Sequence, residues 1–127
     1  MKLRIRENSL RLRLSKGEVA SLGKDGLVSG STEFPGERTL RYTIESSPAS
    51  VAPAAFFSDN TITVRVPESS VLAWSSSEQV AIDGEQRLDN GTLLSILVEK
   101  DFACLAPRAG EDESDLYPHP QAHEGGC

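Results

Sequence analysis

Asn8-Ser-Leu-Arg-Leu-Arg-Leu-Ser-Lys-Gly-Glu-Val-Ala-Ser-Leu22 aligns without a gap on Asn60-Thr-Ile-Thr-Val-Arg-Val-Pro-Glu-Ser-Ser-Val-Leu-Ala-Trp74, and the match runs on to Val28 and Val80 at a constant offset of 52. Identity is confined to Asn8/Asn60, Arg13/Arg65, Val19/Val71 and Val28/Val80, but apolar character agrees at Leu10/Ile62, Leu12/Val64, Leu14/Val66, Ala20/Leu72 and Leu22/Trp74. A self-match at fixed period marks a duplicated supersecondary unit, whose copies bury their apolar faces against each other. Glu7-Asn8 and Asp59-Asn60 stand as acidic-Asn pairs between extended runs. Asn tolerates the positive φ that tight hairpin loops require.

Working outward, Lys2 to Arg6 and Ser9 to Leu14 alternate polar and apolar, the period of a strand with one buried face. Leu3, Ile5, Leu10, Leu12 and Leu14 are expected to point inward. Ser15-Lys-Gly-Glu18 reads as a capping box, in which the serine hydroxyl accepts from the backbone three residues on and the Glu carboxylate reaches back. It predicts a helix over about 15–22. In the second copy Pro67 takes the equivalent boundary, where a missing N–H is harmless at a first helical turn. Extended runs are expected at 27–30 and 40–45, and again at 79–83 and 92–99. Leu40, Tyr42, Ile44 and Glu45 align with Leu94, Ile96, Val98 and Glu99 at an offset of 54. The second connection is therefore two residues longer, in a loop that contains the hairpin signal Asn90-Gly91. Pro53 demotes part of the run from Val51 to Phe57 to an edge or irregular segment.

These signals predict a mostly β fold with two short helices, a small barrel or two packed sheets, made from two pseudo-symmetric ββαββ halves at about 1–48 and 51–100. With 127 residues and 38% hydrophobic content, the chain suits one compact domain, assigned to 1–105. No run approaches the roughly 20 apolar residues of a membrane-spanning helix, and the opening Met-Lys-Leu-Arg-Ile-Arg alternates instead of forming a signal-peptide core. A soluble, cytoplasmic protein with no membrane partner is expected, as monomer or weak homodimer. From Asp101 the composition shifts, and 106–127 reads as an acidic, flexible tail that buries too little apolar surface to offset its ordering entropy.

Charge is unevenly spread. The first 24 residues hold seven Lys/Arg and two Asp/Glu, a balance of +5, which leaves −11 of the total −6 for the rest. An acidic total argues against a simple nucleic-acid binder, although a local basic patch still focuses a field over about 8 to 10 Å. Lys2, Arg4, Arg6, Arg11 and Arg13 are the candidate nucleic-acid or partner face. The bland alternative is an ordinary solvated strand face partly neutralised by the acidic tail.

The segment Glu-Asn-Ser-Leu-Arg-Leu-Arg-Leu-Ser-Lys16, followed by Leu22-Gly-Lys-Asp-Gly26, resembles the swapped-hairpin barrel unit of AbrB-type and MazE-type proteins over residues 2–45. The resemblance implies DNA or partner-antitoxin binding through basic hairpins, in a fold where two chains interlock. A duplicated chain would supply both halves itself, as a fused monomeric relative. The second hairpin departs from that pattern, since it carries only Arg65 and allows no symmetrical basic saddle. Across the whole chain, the opening residues, Leu94 to Leu105 and the ending Tyr117-Pro-His-Pro120 resemble a group of short uncharacterised bacterial proteins, which implies a stand-alone protein and no particular activity.

The tail offers a different class of function. His119, His123 and Cys127 are spaced four and four, with Cys104 upstream, and imidazole with thiolate is a zinc ligand set. Pro118 and Pro120 oppose the helix that would align these ligands, and a free terminus that binds nothing is the alternative. In this setting the two cysteines read as thiols. No cofactor is expected, with zinc as the exception to be tested. Catalytic signatures are missing: there is no phosphate-cradling glycine loop, no HExxH, no nucleophile elbow and no His outside the tail. Ser75-Ser-Ser77 reads as a helix exit, and Asp83 and Glu85 beside Gly84 as turn residues. The sequence thus points to a non-catalytic binding or accessory module for an unknown protein or small ligand, with metal binding by the tail and DNA or partner binding by the first hairpin as alternatives.

Overall fold

A computed structural model describes residues 1–102 and 115–118. The elements follow the order ββαββ twice: β1 (Lys2–Arg6), β2 (Ser9–Leu14), α1 (Lys16–Asp25), β3 (Leu27–Phe34) and β4 (Arg38–Ser47), then β5 (Ala54–Ser58), β6 (Thr61–Pro67), α2 (Glu68–Ser75), β7 (Ala81–Arg87) and β8 (Leu93–Lys100). They build two packed four-stranded sheets, ordered β1-β2-β8-β7 and β3-β4-β6-β5. Each sheet takes one antiparallel hairpin from each half, and the hairpins meet along parallel central pairs, β2 with β8 and β4 with β6. The registers correspond: Leu10↔Ile96 and Leu12↔Val98 in one sheet answer Ile62↔Tyr42 and Val64↔Ile44 in the other. Since β2 and β6 run into the helices and β8 and β4 run parallel to them, all four hairpin turns lie at one end and both helices at the other.

Alternation puts Leu10, Leu12 and Leu14 inward from β2, against Ile62, Val64 and Val66 from β6, with Ile44, Ile96 and Val98 beside them. The helix end is closed by Val19 and Leu22 from α1 and Val71 and Trp74 from α2, and both Leu22 and Trp74 are fully buried. Trp74 also donates its indole N–H to the Val80 carbonyl at 3.0 Å, which satisfies the one polar atom that it buries. The capping box forms: Glu18 N–H donates to Ser15 Oγ at 3.3 Å and Ser15 N–H donates to Glu18 Oε1 at 3.0 Å. The two helices approach where a Cβ on Gly23 would lie 3.1 Å from Ser75 Oγ.

Of the two architectures that the sequence allows, the packed sheets form and the barrel does not close. Closure would need ladders between the edge strands β1 and β3 and between β5 and β7, and none forms. At the second seam Pro53, without a donor, packs on β7 so closely that a Cβ on Gly84 would come within 2.9 Å of its ring. The only hydrogen bond among the described residues there is from Ala55 N–H to Gln86 Oε1, at 2.7 Å. Placement of the extra residues also differs from the sequence alignment. Val28 pairs with Ile44 and Ile82 with Val98, so the offset is already 54 at β3 and β7, and the two residues enter between α2 and β7. There α1 ends on Gly26 in the left-handed conformation, φ 76°, and turns at once into β3, whereas α2 ends on Ser76 at φ −100° and needs a longer exit. Val80 consequently stands exposed while Val28 is buried.

Local turn chemistry is likewise redistributed. In the first hairpin the positive φ falls on Glu7 (49°), and in the second on both Asp59 (50°) and Asn60 (58°). Asn8 instead donates its side-chain amide to the Leu93 carbonyl at 2.9 Å, tying the first turn to the start of β8. Pro67 is the N-cap of α2 without a side-chain cap, one position before the first turn. Replacing Trp74 or Leu22 by Ala is expected to cost about 2 to 5 kcal/mol of unfolding free energy, measured by urea denaturation. A loss under about 1 kcal/mol at both positions would contradict the shared interior.

Candidate functional site

The five basic residues of the N-terminal hairpin fall on one surface, the outer face of β1 and β2, because they alternate with the inward Leu3, Ile5, Leu10 and Leu12. Cross-strand register sets Lys2 opposite Arg13 and Arg4 opposite Arg11. Directly opposed like charges destabilise a sheet. Two carboxylates offset part of that cost. Glu99 Oε1 on β8 accepts from Arg11 Nε at 2.5 Å and Arg13 Nε at 2.7 Å, and Lys2 Nζ lies 2.9 Å from the buried Asp101. Among the described residues Arg4 and Arg6 make no ion pair. Among the described residues, Lys2, Arg4, Arg11 and Arg13 line a hollow of about 210 Å³. Beside it a shallow groove of about 490 Å³ crosses the sheet from Arg4, Arg6 and Arg11 to Asp83 and Glu85. These last two are strand residues on β7, not the turn residues that Gly84 suggests, and they make the far wall of the groove acidic.

The other sheet supplies a comparison. Arg65 Nε bonds Glu45 Oε1 at 2.6 Å, the counterpart of Arg13 and Glu99. At the positions matching Lys2, Arg4, Arg6 and Arg11, however, stand Ala54, Phe56, Ser58 and Thr63. The scaffold therefore forms without the basic strip.

A second feature, missed in the sequence reading, lies at the hairpin end, where neither α1 nor α2 covers the space between the sheets. An apolar groove of about 430 Å³ opens there, lined by Ile5, Leu10, Leu40, Phe57, Ile62 and Leu94 among others. Phe56 and Phe57 are adjacent on a strand of period two, so one of them must face away from the interior. That pair was the available signal.

At the opposite end, Lys100 is buried beneath the aromatic rings of Trp74 and Tyr117, its ammonium 5.9 and 5.3 Å from the ring centres, and it donates to the Ser77 carbonyl at 2.8 Å. Burial lowers its pKa, against a smaller opposing effect of Glu78. Tyr117 shifts upward, through burial first and then the Asp115 charge. Lys16 N–H donates to the Asp115 carbonyl at 2.9 Å, and Gly17 N–H reaches the Asp115 carboxylate at 3.3 Å, so an acidic residue from beyond the strands sits at the positive end of α1. Ser75 to Ser77 form the helix exit as expected, with their hydroxyls donating to the Leu72 and Ala73 carbonyls.

Cys104, His119, His123 and Cys127, the metal ligands suggested by the sequence, lie outside the described residues. Among the described residues no group of three or more His, Cys, Asp or Glu is placed to hold a metal, and no helix is long and apolar enough to cross a membrane.

Together, the fold and its surfaces define a small two-sheet β protein that, among the described residues, carries a basic strand face and an apolar end that neither helix covers. Residues 1–121 match the model of a family of unknown function (DUF7009), and the chain belongs to that family. No curated protein and no solved structure matches it significantly.

In a Tyr42→Phe variant, which leaves Tyr117 as the single tyrosine, absorbance titration at alkaline pH should give a midpoint above the ordinary value of 10.0. The unfolded chain ionises first, so this group's contribution to stability is intact below pH 10 and declines as the pH rises through and beyond it. A midpoint at or below 10 would contradict the burial of Tyr117 beside Asp115.

Proposed function

We propose that the protein is a non-catalytic binding module that takes an anionic protein segment on the outer face of β1 and β2. One observation carries this reading. Four cations stand in direct cross-strand opposition, offset among the described residues by two carboxylates, on one hairpin and not on its structural counterpart. Since the counterpart folds with Ala54, Phe56 and Thr63 at the positions of Lys2, Arg4 and Arg11 and keeps a cation only at Arg65, opposite Ala54, packing does not explain three of the four cations, and their mutual repulsion is a cost that an anionic occupant relieves. Arginine predominates, and its planar donors suit carboxylate and phosphate alike.

Duplex DNA fits less well. Asp83 and Glu85 share the outer face with the arginines, and Arg65 stands alone on the second hairpin, so the cationic strip is too narrow to follow two phosphate backbones. The interleaving of one hairpin from each half within both sheets does support kinship with the interlocked AbrB-type and MazE-type dimers, with both halves in one chain. DNA contact therefore remains the second reading and one arm of the test.

The experiment is fluorescence anisotropy of labelled poly-L-glutamate and of a labelled DNA duplex against the full chain at low and moderate salt. Poly-L-glutamate should bind, weaken as salt rises, and lose on the order of tenfold or more in affinity with Arg4→Glu and Arg6→Glu combined. Absence of binding, or binding indifferent to the double change, rejects the proposal. Tighter binding of DNA that flattens in salt dependence with the same variant would move the assignment to nucleic acid.

A further inference from the structure

The two seams between the sheets are counterparts in the fold but differ in closure. Between β5 and β7 the gap is filled: Gln86 accepts from Ala55 N–H at 2.7 Å, and Pro53 packs on Gly84. Between β1 and β3 the residues matching Ala55, Gln86 and Gly84 are Leu3, Thr32 and Gly30. Thr32 is two atoms shorter than Gln and makes no such bond. The ring of Tyr42, not a proline from the opposite edge, covers Gly30, where a Cβ would come within 2.5 Å of it. Met1, at the position matching Pro53, lines what remains together with Leu3, Ile5, Thr32, Phe34 and Tyr42 among others, a slot of about 490 Å³ in which Ile5 is 56% and Phe34 52% exposed.

We propose that this slot receives an extended strand of a partner protein, paired with the outer edge of β1, which no described strand covers, and alternating acidic with apolar side chains. It rests on the anionic-partner reading and specifies the form that the partner takes. Three features select the occupant. Ala55 directs its N–H across its own seam, and Leu3 occupies the same register on β1 (Leu3↔Leu12 beside Ala55↔Val64), so Leu3 and Ile5 present their N–H groups to the slot. Residues two apart on a strand share one direction of hydrogen bonding. Next, an added strand places alternate side chains on the two faces of the sheet. One set meets Lys2, Arg4 and Arg6 outside, which calls for carboxylates. The other meets Leu3, Ile5 and Phe34 within, which calls for apolar groups. Finally, a second copy of this chain is a poor occupant through β1 itself, because antiparallel pairing of two such edges sets arginine and lysine against one another. The same charges that exclude self-pairing select an acidic strand, in the manner of partner recognition by strand addition.

The test uses the full chain and a labelled, end-blocked Val-Glu-Val-Glu-Val peptide, with a version N-methylated on alternate backbone nitrogens. The plain peptide should bind and protect the Leu3 and Ile5 amides from hydrogen exchange, while the methylated version should bind on the order of tenfold or more weakly because it cannot form the ladder. Thr32→Gln, which copies the closed seam, should weaken the peptide by a similar factor and leave poly-L-glutamate unaffected. Loss of both ligands only with Arg4→Glu and Arg6→Glu, and indifference to Thr32→Gln and to methylation, overturns strand addition while the anionic-partner reading stands. Failure of the plain peptide to bind also overturns it. A dimer in sedimentation that Thr32→Gln dissociates would replace the partner strand by a second copy and overturn the proposal as stated. The methylated peptide decides the matter even where Thr32→Gln fails to fold.

Discussion

Everything in this fold depends on two parallel ladders that join residues far apart in sequence. β2 has only one neighbour from its own half, and its second neighbour, β8, comes from the other; β4 and β6 stand in the same relation. Leu12 and Leu14, Val64 and Val66 become fully buried only because those ladders put a strand from the opposite half beside each of them. A single ββαββ unit would leave one flank of β2 and one of β4 without hydrogen bonds and both inner faces in water. The halves are thus mutually required in a way that two adjacent domains would not be. Short two-stranded hairpins have marginal stability in water on their own.

Pseudo-symmetry of backbone leaves the surfaces free to differ. One ion pair is kept in both sheets, Arg13 with Glu99 and Arg65 with Glu45. Around it the first hairpin carries cations on every outward position except Ser9, while the second carries Thr, Ser, Ala and Phe. The helix ends differ as well, with a glycine in the left-handed region closing α1 and a run of serines closing α2. Inward positions are held to apolar residues by the common interior. Outward ones answer to whatever each face meets.

Much of this was legible in the residues because its physics is local. Alternation in 2–6 and 9–14 specified strands, Ser15 and Glu18 specified the start of α1, and matching Leu22 with Trp74 located the helix side of the core. What could not be read is set by pairs distant in sequence. Nothing local distinguishes a closed barrel from two sheets, since that depends on whether Pro53 and Gln86 face one partner and Thr32 another. Ser31 to Phe34 lack a clear period, and they are strand because β4 supplies partners out to Arg38. The break in offset falls in the longer exit between α2 and β7, which no turn signal marks, whereas the strong Asn90-Gly91 signal points to the later loop. Of the site, the basic face was visible as charge alternation, while the apolar end appeared only once four turns were seen to gather there.

The order of strands in the sheets has a consequence for how the chain is made. The sheet built from β3, β4, β5 and β6 draws on residues 27–67 and has all its strands once α2 begins to emerge from the ribosome. The hairpin synthesised first must wait longest, because Ser9 finds its parallel partner only at Ser95. Throughout that interval of translation Leu10, Leu12 and Leu14 form an unsatisfied apolar stripe on a nascent chain, the kind of surface that invites chaperone contact or aggregation. The cations on the reverse side of the same hairpin keep it hydrated and mutually repelling while it waits.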